Sequence, residues 1–202
     1  MAKKRRRRGR RFSLLVYVPM GQRLGDLGLL LAVAGLVLWG FAPRIFGPPF
    51  GVFPWRHLLL IFPLVGGFLF VYGLAARRLA YVQCFPTHFR IQTPFYPLVV
   101  SYRRVMGTRP VQIAKLFDPE KDKRARHYWP EWYWGMTAVA VDLRSFPMSP
   151  HWLRLWLDPH LFLPDRPGFV LLVEDWMDLS QEFNGFLAAY RDRRAGRRRA
   201  RR

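Results

Sequence analysis

Two long apolar runs lie in the first half of the chain. Residues 57–76 hold no Lys, Arg, Asp or Glu across twenty positions, and residues 27–43 form a second uncharged run. As helices rising ~1.5 Å per residue, they would measure roughly 30 Å and 25 Å, which is close to the thickness of a bilayer's hydrocarbon core. The pattern therefore predicts two transmembrane helices, at about residues 23–43 and 57–77.

Small residues recur at helical spacing in both runs and predict a hairpin over residues 22–78. Such residues let membrane helices approach closely. The link at residues 44–56 contains three prolines and two glycines, so it cannot be helical. The small residues are Gly28, Ala32 and Gly35 in the first helix, and Gly66, Gly67 and Gly73 in the second.

From residue 79 the pattern changes to short β-prone runs between turn residues, which predicts a folded domain over residues 79–193. In residues 89–93, for example, apolar and polar positions alternate as in a half-buried strand. The six predicted strands are residues 81–85, 89–93, 98–102, 111–116, 137–143 and 169–173. A closing helix is predicted at residues 178–193, capped by Asp178 or Ser180. Its apolar stripe is Leu179, Phe183, Phe186, Leu187 and Tyr190.

Two further segments each have two possible structures. Residues 12–18 are apolar and β-prone and end at Pro19, so they are either an extended strand or a segment at the membrane interface. Residues 149–158 are either a short helix capped by Ser149 or a strand, because both periodicities fit them.

Most of the net charge of +20 resides in the two tails. Residues 1–11 carry eight Lys or Arg and the last twelve residues carry eight Arg, whereas residues 79–190 hold 12 basic and 11 acidic residues. Runs of like charge repel and stay unfolded. We therefore predict a basic arm over residues 1–21 and a disordered Arg-rich tail over residues 194–202.

The basic residues that flank the helices predict the topology. Nine precede the first helix, two lie in the link and two follow the second helix directly. The positive-inside rule then gives a two-pass inner-membrane protein with both termini in the cytoplasm. We expect contacts between anionic lipid head groups and the flanking basic residues, which are Lys3, Lys4, Arg5, Arg6, Arg7, Arg8, Arg77 and Arg78.

Two other interpretations of the basic residues are less favoured. A membrane-tethered nucleic-acid-binding protein could use its Arg-rich tails, but the tails lack the interleaved aromatic residues on which bases stack. Arg10, Arg11 and Phe12 resemble a twin-arginine export signal. Its apolar run, however, begins too far downstream, and no small-residue cleavage site follows.

No combination of residues indicates an enzyme, a cofactor or a metal ion. The five histidines share no ligand spacing, and the chain has neither a Gly-rich phosphate loop nor a G-x-S-x-G motif. The single cysteine, Cys84, lies in an apolar run and is expected to be a small buried side chain.

Three clusters of polar residues resemble sites, but none of them predicts one. The first, His151, Asp158 and His160, could hold a metal ion only if a turn brought the three together. The second imitates a calcium loop but lacks its glycine and its bidentate glutamate. It comprises Asp118, Glu120 and Asp122. The third fits favourable charge at a helix N-terminus. It comprises Glu174, Asp175 and Asp178.

A dense aromatic loop is the best candidate for a functional surface. We predict that it contacts the bilayer or another membrane or cytoplasmic protein, because Trp and Tyr favour interfaces of both kinds. The alternative is that its rings pack with Trp152 and Trp156 as a second small core. The candidate contact residues are Tyr128, Trp129, Trp132, Tyr133 and Trp134.

A membrane hairpin followed by about six strands and one amphipathic helix resembles the bacterial membrane-anchored PH-like domain proteins. Residues 81–111 and 169–193 carry the resemblance, including a basic turn at Tyr102, Arg103 and Arg104. It implies a bent antiparallel sheet, forming a partly open barrel closed by the C-terminal helix. It implies binding or scaffolding and no catalysis. The loop at residues 86–88 lacks the several Lys or Arg of phosphoinositide-binding members.

Overall fold

The computed structural model describes residues 9–45, 47, 55–117 and 131–199. The chain divides into two compact units. One is Met20–Arg77, and the other joins Met1–Pro19 to Arg78–Arg202. The second unit therefore includes the segment just before the first helix, which the sequence had grouped with a basic arm.

The helices of the first unit differ in their limits from those predicted. α1 (Tyr17–Ile45) begins before residue 23 and has Pro19 in its first turn. Proline is tolerated there because N–H groups of the first turn have no partner within the helix. The second predicted helix is divided into α2 (Trp55–Leu58) and α3 (Ile61–Leu79). Pro63 explains the break, because its ring clashes with the carbonyl of the residue four positions earlier.

α1 and α3 pack with their backbones in close contact. A Cβ added to Gly66 would lie 2.5 Å from the backbone nitrogen of Ala32, and one added to Gly28 would lie 2.5 Å from that of Phe70. Both contacts are too short for a real Cβ atom, so the close approach requires glycine at these positions. Gly67, which was predicted to share this role, faces open space.

The outward surfaces of the two helices are apolar. Leu30, Leu64 and Phe68 are 69 %, 73 % and 70 % exposed. A helix pair in water buries such residues, whereas this one buries small residues and exposes large apolar ones. By length and composition, Tyr17–Ala42 is the one helix in the described part of the chain that could cross a membrane. The apolar part of α3, Ile61–Ala76, is shorter.

The second unit contains a four-stranded antiparallel sheet in the order β1-β2-β3-β4. Its strands are β1 (Arg11–Ser13), β2 (Tyr81–Cys84), β3 (His88–Gln92) and β4 (Pro97–Ser101). The segment at residues 12–18 thus begins in a strand, where Phe12 pairs with Val82, and from Tyr17 it becomes the start of α1. β1 and β2 are neighbours in the sheet although both helices separate them along the chain.

A second antiparallel sheet has the order β5-β6-β7. Its strands are β5 (Val105–Gln112), β6 (Thr137–Leu143) and β7 (Gly168–Leu171). The strand predicted at residues 111–116 is wrong, because Ile113–Leu116 forms one helical turn, α4. Gly107 and Pro110, which are residue types that often mark turns, both lie in β5. The strand is irregular between Val105 and Gly107 and lies at the sheet's edge, where a proline is tolerated.

Two helices complete this unit. α5 (Pro150–Trp156) follows Ser149, whose side chain accepts a hydrogen bond from the Trp152 amide at 3.3 Å, so the helical interpretation of this segment is confirmed. α6 (Trp176–Arg199) starts ahead of the predicted caps and continues through much of the segment predicted to be a disordered tail. Residues 200–202 lie outside the described residues.

The core of this unit lies between α6 and the two sheets. α6 packs on β2, β5 and β6 and buries Leu179, Phe183 and Leu187. The ring of Phe183 lies 5.0 Å from that of Phe89 and 5.5 Å from that of Tyr102, measured between centroids. The described strands form two separate sheets and no closed barrel.

Alanine at Gly66 should destabilise the helix pair, whereas alanine at Gly67 should not. The new methyl group at position 66 meets the α1 backbone, so we expect a loss of about 1–3 kcal/mol. At position 67 it meets nothing, and the better helix propensity of alanine should leave stability unchanged or raise it by up to ~1 kcal/mol. Thermal unfolding of the full chain in mild detergent measures both. Equal destabilisation by the two variants would contradict the close contact.

Candidate membrane-contact site

Residues 14–17, here called the entry segment, connect β1 to α1 and are buried in the second unit. Leu14, Leu15, Val16 and Tyr17 are 1 %, 6 %, 0 % and 1 % exposed. The Leu14 amide donates to the Ala80 carbonyl at 3.0 Å, and the Leu15 amide donates to the Leu172 carbonyl at 2.9 Å. The chain therefore runs through the core of the domain immediately before the first helix.

Two further hydrogen bonds connect the entry segment to the elements that carry exposed tryptophans. The hydroxyl of Tyr133 donates to the Leu15 carbonyl at 3.2 Å. The amide of Asp158, two residues beyond α5, donates to the Tyr17 hydroxyl at 3.3 Å. Both elements are thus fixed next to the point at which the chain leaves the domain.

The exposed aromatic set consists of Trp132, Trp152 and Trp156, which are 61 %, 49 % and 38 % exposed. Trp132 stacks on Tyr133 with ring centroids 4.0 Å apart, and the rings of Trp152 and Trp156 meet edge to face at 6.0 Å. Leu155, at 69 % exposure, extends the apolar face of α5. Between 38 % and 69 % of each of these residues stays exposed, so this apolar surface is available to an external apolar or interfacial surface.

Of the predicted contact residues, Trp132 is exposed, Trp134 is half-buried and Tyr133 is fully buried. Tyr133 is therefore a core residue and unavailable to a membrane or partner. Tyr128 and Trp129 lie outside the described residues. The contact residues predicted from the sequence did not include Trp152 and Trp156. Trp152, Leu155 and Trp156 have the i, i+3, i+4 spacing of one helix face, and this spacing predicts an apolar face on a short helix.

The basic residues predicted to contact lipid lie mostly beyond what the structure describes. Lys3, Lys4, Arg5, Arg6, Arg7 and Arg8 are outside the described residues, as is the side chain of Arg77. Arg78 is exposed in the last turn of α3. Arg10 pairs with Asp178 at 2.8 Å, so this carboxylate binds the N-terminal segment instead of capping α6.

Cys84 is a buried structural residue. Its side chain is 0 % exposed, next to Tyr102, and burial raises the pKa of the thiol to about 12. Burial also raises the pKa of the Tyr102 hydroxyl. Both groups stay protonated at neutral pH, which is the state expected of core packing and the opposite of a reactive thiolate.

No metal centre is present among the residues that the structure describes. The His160 Nδ1 lies 2.8 Å from the Asp158 carboxylate, whereas His151 is exposed on α5. The calcium-like cluster, Asp118, Glu120 and Asp122, lies outside those residues.

Comparison with known proteins provides no relative. No family model matches the chain, and no curated protein or solved structure is similar enough to count as a match. The function must therefore be inferred from the residues and contacts of this chain.

Cys84 should resist thiol reagents in the native protein. The thiolate is scarce between about pH 7 and 9 because the thiol is buried and its pKa is raised. Labelling of the full chain by a chromogenic disulfide reagent should be slow, and it should become fast in denaturant. A cysteine at the exposed position 87, introduced as Thr87→Cys, is the control and should react quickly without denaturant. Fast native labelling of Cys84 would contradict its burial.

Proposed function

We propose that this chain is a two-pass inner-membrane protein whose helices anchor a cytoplasmic binding domain. The observation that carries the proposal is the pairing of β1 with β2. Ser13 and Tyr81 are direct partners in that pair, yet α1 to α3 lie between them in sequence. Partner residues in antiparallel strands are ~5 Å apart at their Cα atoms, so the chain leaves the domain and returns to it at the same place.

This return requires an even number of membrane crossings. If α1 crosses the bilayer, the chain must cross back before Tyr81, and α3 is the long helix that remains for this purpose. Its apolar part, Ile61–Ala76, would span about 24 Å at ~1.5 Å per residue, which is short for a bilayer core. Local thinning and the extension of basic side chains toward the head groups accommodate such a mismatch at modest cost.

The packing of the helix pair supports the same conclusion. Lipid tails supply no hydrophobic force between helices, so membrane helices associate through small residues and expose large apolar ones. Gly28 and Gly66 lie in the contact, while Leu30, Leu64 and Phe68 point outward. In water, this arrangement would leave a large apolar surface exposed.

The second unit is best interpreted as a PH-like binding or scaffold domain. A four-stranded and a three-stranded antiparallel sheet followed by a C-terminal helix support this fold. The membrane helices would then be an insertion between its first two strands. The role that we infer is binding without catalysis, because the exposed groups suit contact surfaces.

We further propose that the exposed aromatic set rests in the head-group layer. The elements carrying it are hydrogen-bonded to Leu15, just before α1, and to Tyr17, the first residue of that helix. Tryptophan prefers the membrane–water interface, where its ring is partly buried and its N–H stays hydrated. Trp132 and Trp152 would in this way limit the tilt of the domain.

The topology can be tested with reporter fusions to the full chain. A reporter active only in the cytoplasm should work when fused after Arg202 and fail when inserted in the link at residues 48–54. The reason is the excess of basic residues before α1 and in the last turn of α3, which contains Arg77 and Arg78. A periplasmic C-terminus would overturn the topology, and matching signals at both sites would exclude two crossings.

The aromatic contact can be tested with environment-sensitive labels. Because Cys84 is buried, single cysteines can be added to the native chain as Trp132→Cys, Trp152→Cys and, as control, Thr87→Cys. In lipid nanodiscs, a fluorophore at positions 132 and 152 should emit at shorter wavelength and be quenched by spin-labelled lipid, because both positions would lie in the interface.

The label at position 87 should show neither effect, because Thr87 lies in the β2–β3 turn, at the end of β2 away from Tyr81. Equal quenching at the three positions, or none at 132 and 152, would contradict the proposed contact. Circular dichroism of each variant checks that the fold is retained.

A further inference from the structure

A cavity of about 300 Å³ opens at the C-terminal half of α6. Its lining combines four guanidinium groups with one hydroxyl group and one aromatic ring. The lining residues are Thr87, Arg103, Tyr190, Arg193, Arg194 and Arg197. The sequence interpretation placed Arg103 in a basic turn and the other arginines in a helix end and an Arg-rich tail, and it did not bring these residues together as one site.

The cavity is formed by one face of α6 and two turns. Tyr190, Arg193, Arg194 and Arg197 follow the i, i+3, i+4, i+7 spacing of a single helix face. Arg103 comes from the 3₁₀ turn Tyr102–Arg104 that joins β4 to β5, and Thr87 comes from the β2–β3 turn. Three separate parts of the chain therefore bring their polar groups to one concave surface.

The walls of the cavity are held by contacts within the domain. The rings of Tyr102 and Tyr190 lie 5.9 Å apart at their centroids, which fixes α6 against the 3₁₀ turn. The Arg193 guanidinium donates to the Pro86 carbonyl, and the Tyr102 amide donates to the Thr87 carbonyl at 3.3 Å. The elements that carry the arginines are thus held in place by contacts within the domain, unlike a freely solvated helix end.

The described part of the chain does not balance the charge of the cavity. Arginine stays protonated in proteins, so the cavity holds four positive charges. Within the described ranges, no carboxylate forms an ion pair with any of them. Asp192 is two residues after Tyr190, which at ~3.6 residues per turn puts it on the other side of α6. A bound anion would relieve the mutual repulsion of the guanidinium groups.

The cavity lies at the end of the sheet away from the connections to the helices. Ser13 and Tyr81, where the chain leaves and rejoins the sheet, pair at one end of β1 and β2. β2 then runs to Cys84, and Thr87 follows in the turn beyond it, up to ~20 Å from Tyr81 at ~3.3 Å per residue. The cavity and the connections to the helices therefore lie at opposite ends of β2.

We propose that this cavity binds the phosphate groups of a small phosphorylated ligand. The planar guanidinium fork matches phosphate oxygens in a bidentate manner, and several such groups suit a ligand with more than one negative charge. Thr87 can donate a further hydrogen bond, and Tyr190 supplies a flat apolar wall. This site would give the proposed binding domain a class of ligand. It rests on the proposed function only in assuming that the domain acts by binding.

The test uses inorganic pyrophosphate and the full chain in nanodiscs of zwitterionic lipid. Calorimetry should detect saturable binding at one site. Arg194→Gln and Arg197→Gln should each weaken it about tenfold, the loss typical of a charged hydrogen bond. Arg199→Gln is the matched control and should leave the affinity unchanged. Arg199 is about two and a half turns beyond Tyr190, on the opposite side of α6. Its substitution removes the same charge as the other two.

Two results would overturn the site. One is the absence of saturable pyrophosphate binding. The other is an equal loss of affinity in all three variants, accompanied by equal competition from short DNA duplexes, which would indicate general polyanion attraction. Melting temperatures of the variants establish that binding losses do not come from unfolding. The result of this binding test does not depend on the topology, because the reporter and label experiments test the membrane arrangement separately.

A second arm identifies the source of the phosphate. Nanodiscs containing anionic phospholipid should leave the pyrophosphate affinity unchanged if the ligand is a soluble compound. If the anionic lipid weakens the pyrophosphate affinity of the native chain but not that of Arg197→Gln, lipid head groups compete for the same cavity. In that case the ligand would be a phospholipid and the domain would tilt its α6 end to the bilayer.

Discussion

The pairing of β1 with β2 is the constraint on which the rest of this structure depends. The three-residue strand before the helices and the strand directly after them are hydrogen-bonded neighbours, with Phe12 opposite Val82. The intervening chain must therefore start and finish at one edge of one domain. Close packing of α1 on α3 through Gly28 and Gly66 is compatible with this return, because it lets two long helices run side by side.

The same constraint changes what counts as the domain. A fragment that begins at residue 79 would lack β1 and the entry segment. It would leave β2 as an unpaired edge and remove the buried side chains of residues 14–17 from the core. The folded unit is discontinuous in sequence, so its stability and its binding properties belong to the full chain.

The chemistry of the domain differs between its two ends. Trp132 and the α5 tryptophans lie in elements that are hydrogen-bonded, through Tyr133 and Asp158, to Leu15 and to Tyr17 at the start of α1. The arginine cavity lies beyond the opposite end of β2. Aromatic rings favour a head-group layer and arginines favour phosphate, so the two ends of the domain differ in the kind of surface that they offer.

The sequence by itself determined the local features of this protein. Uninterrupted apolar runs specify long apolar helices, and alternation specifies β3. Ser149 before Pro150 fits the start of α5, although the periodicity of residues 149–158 fits a strand as well. These depend on residues close together in the chain. Cys84 was predicted to be buried for the same reason, since it lies in an apolar run.

Tertiary structure decided the features that depend on distant partners. Residues 11–13 are a strand only because β2 offers its edge, and Gly107 and Pro110 fit into β5 only because that strand is irregular and lies at a sheet edge. Tyr133 is buried while its neighbour Trp132 is exposed, a difference set by the Leu15 carbonyl far away in sequence. The arginine cavity likewise needs α6 and two remote turns, and no periodicity along the chain encodes their meeting.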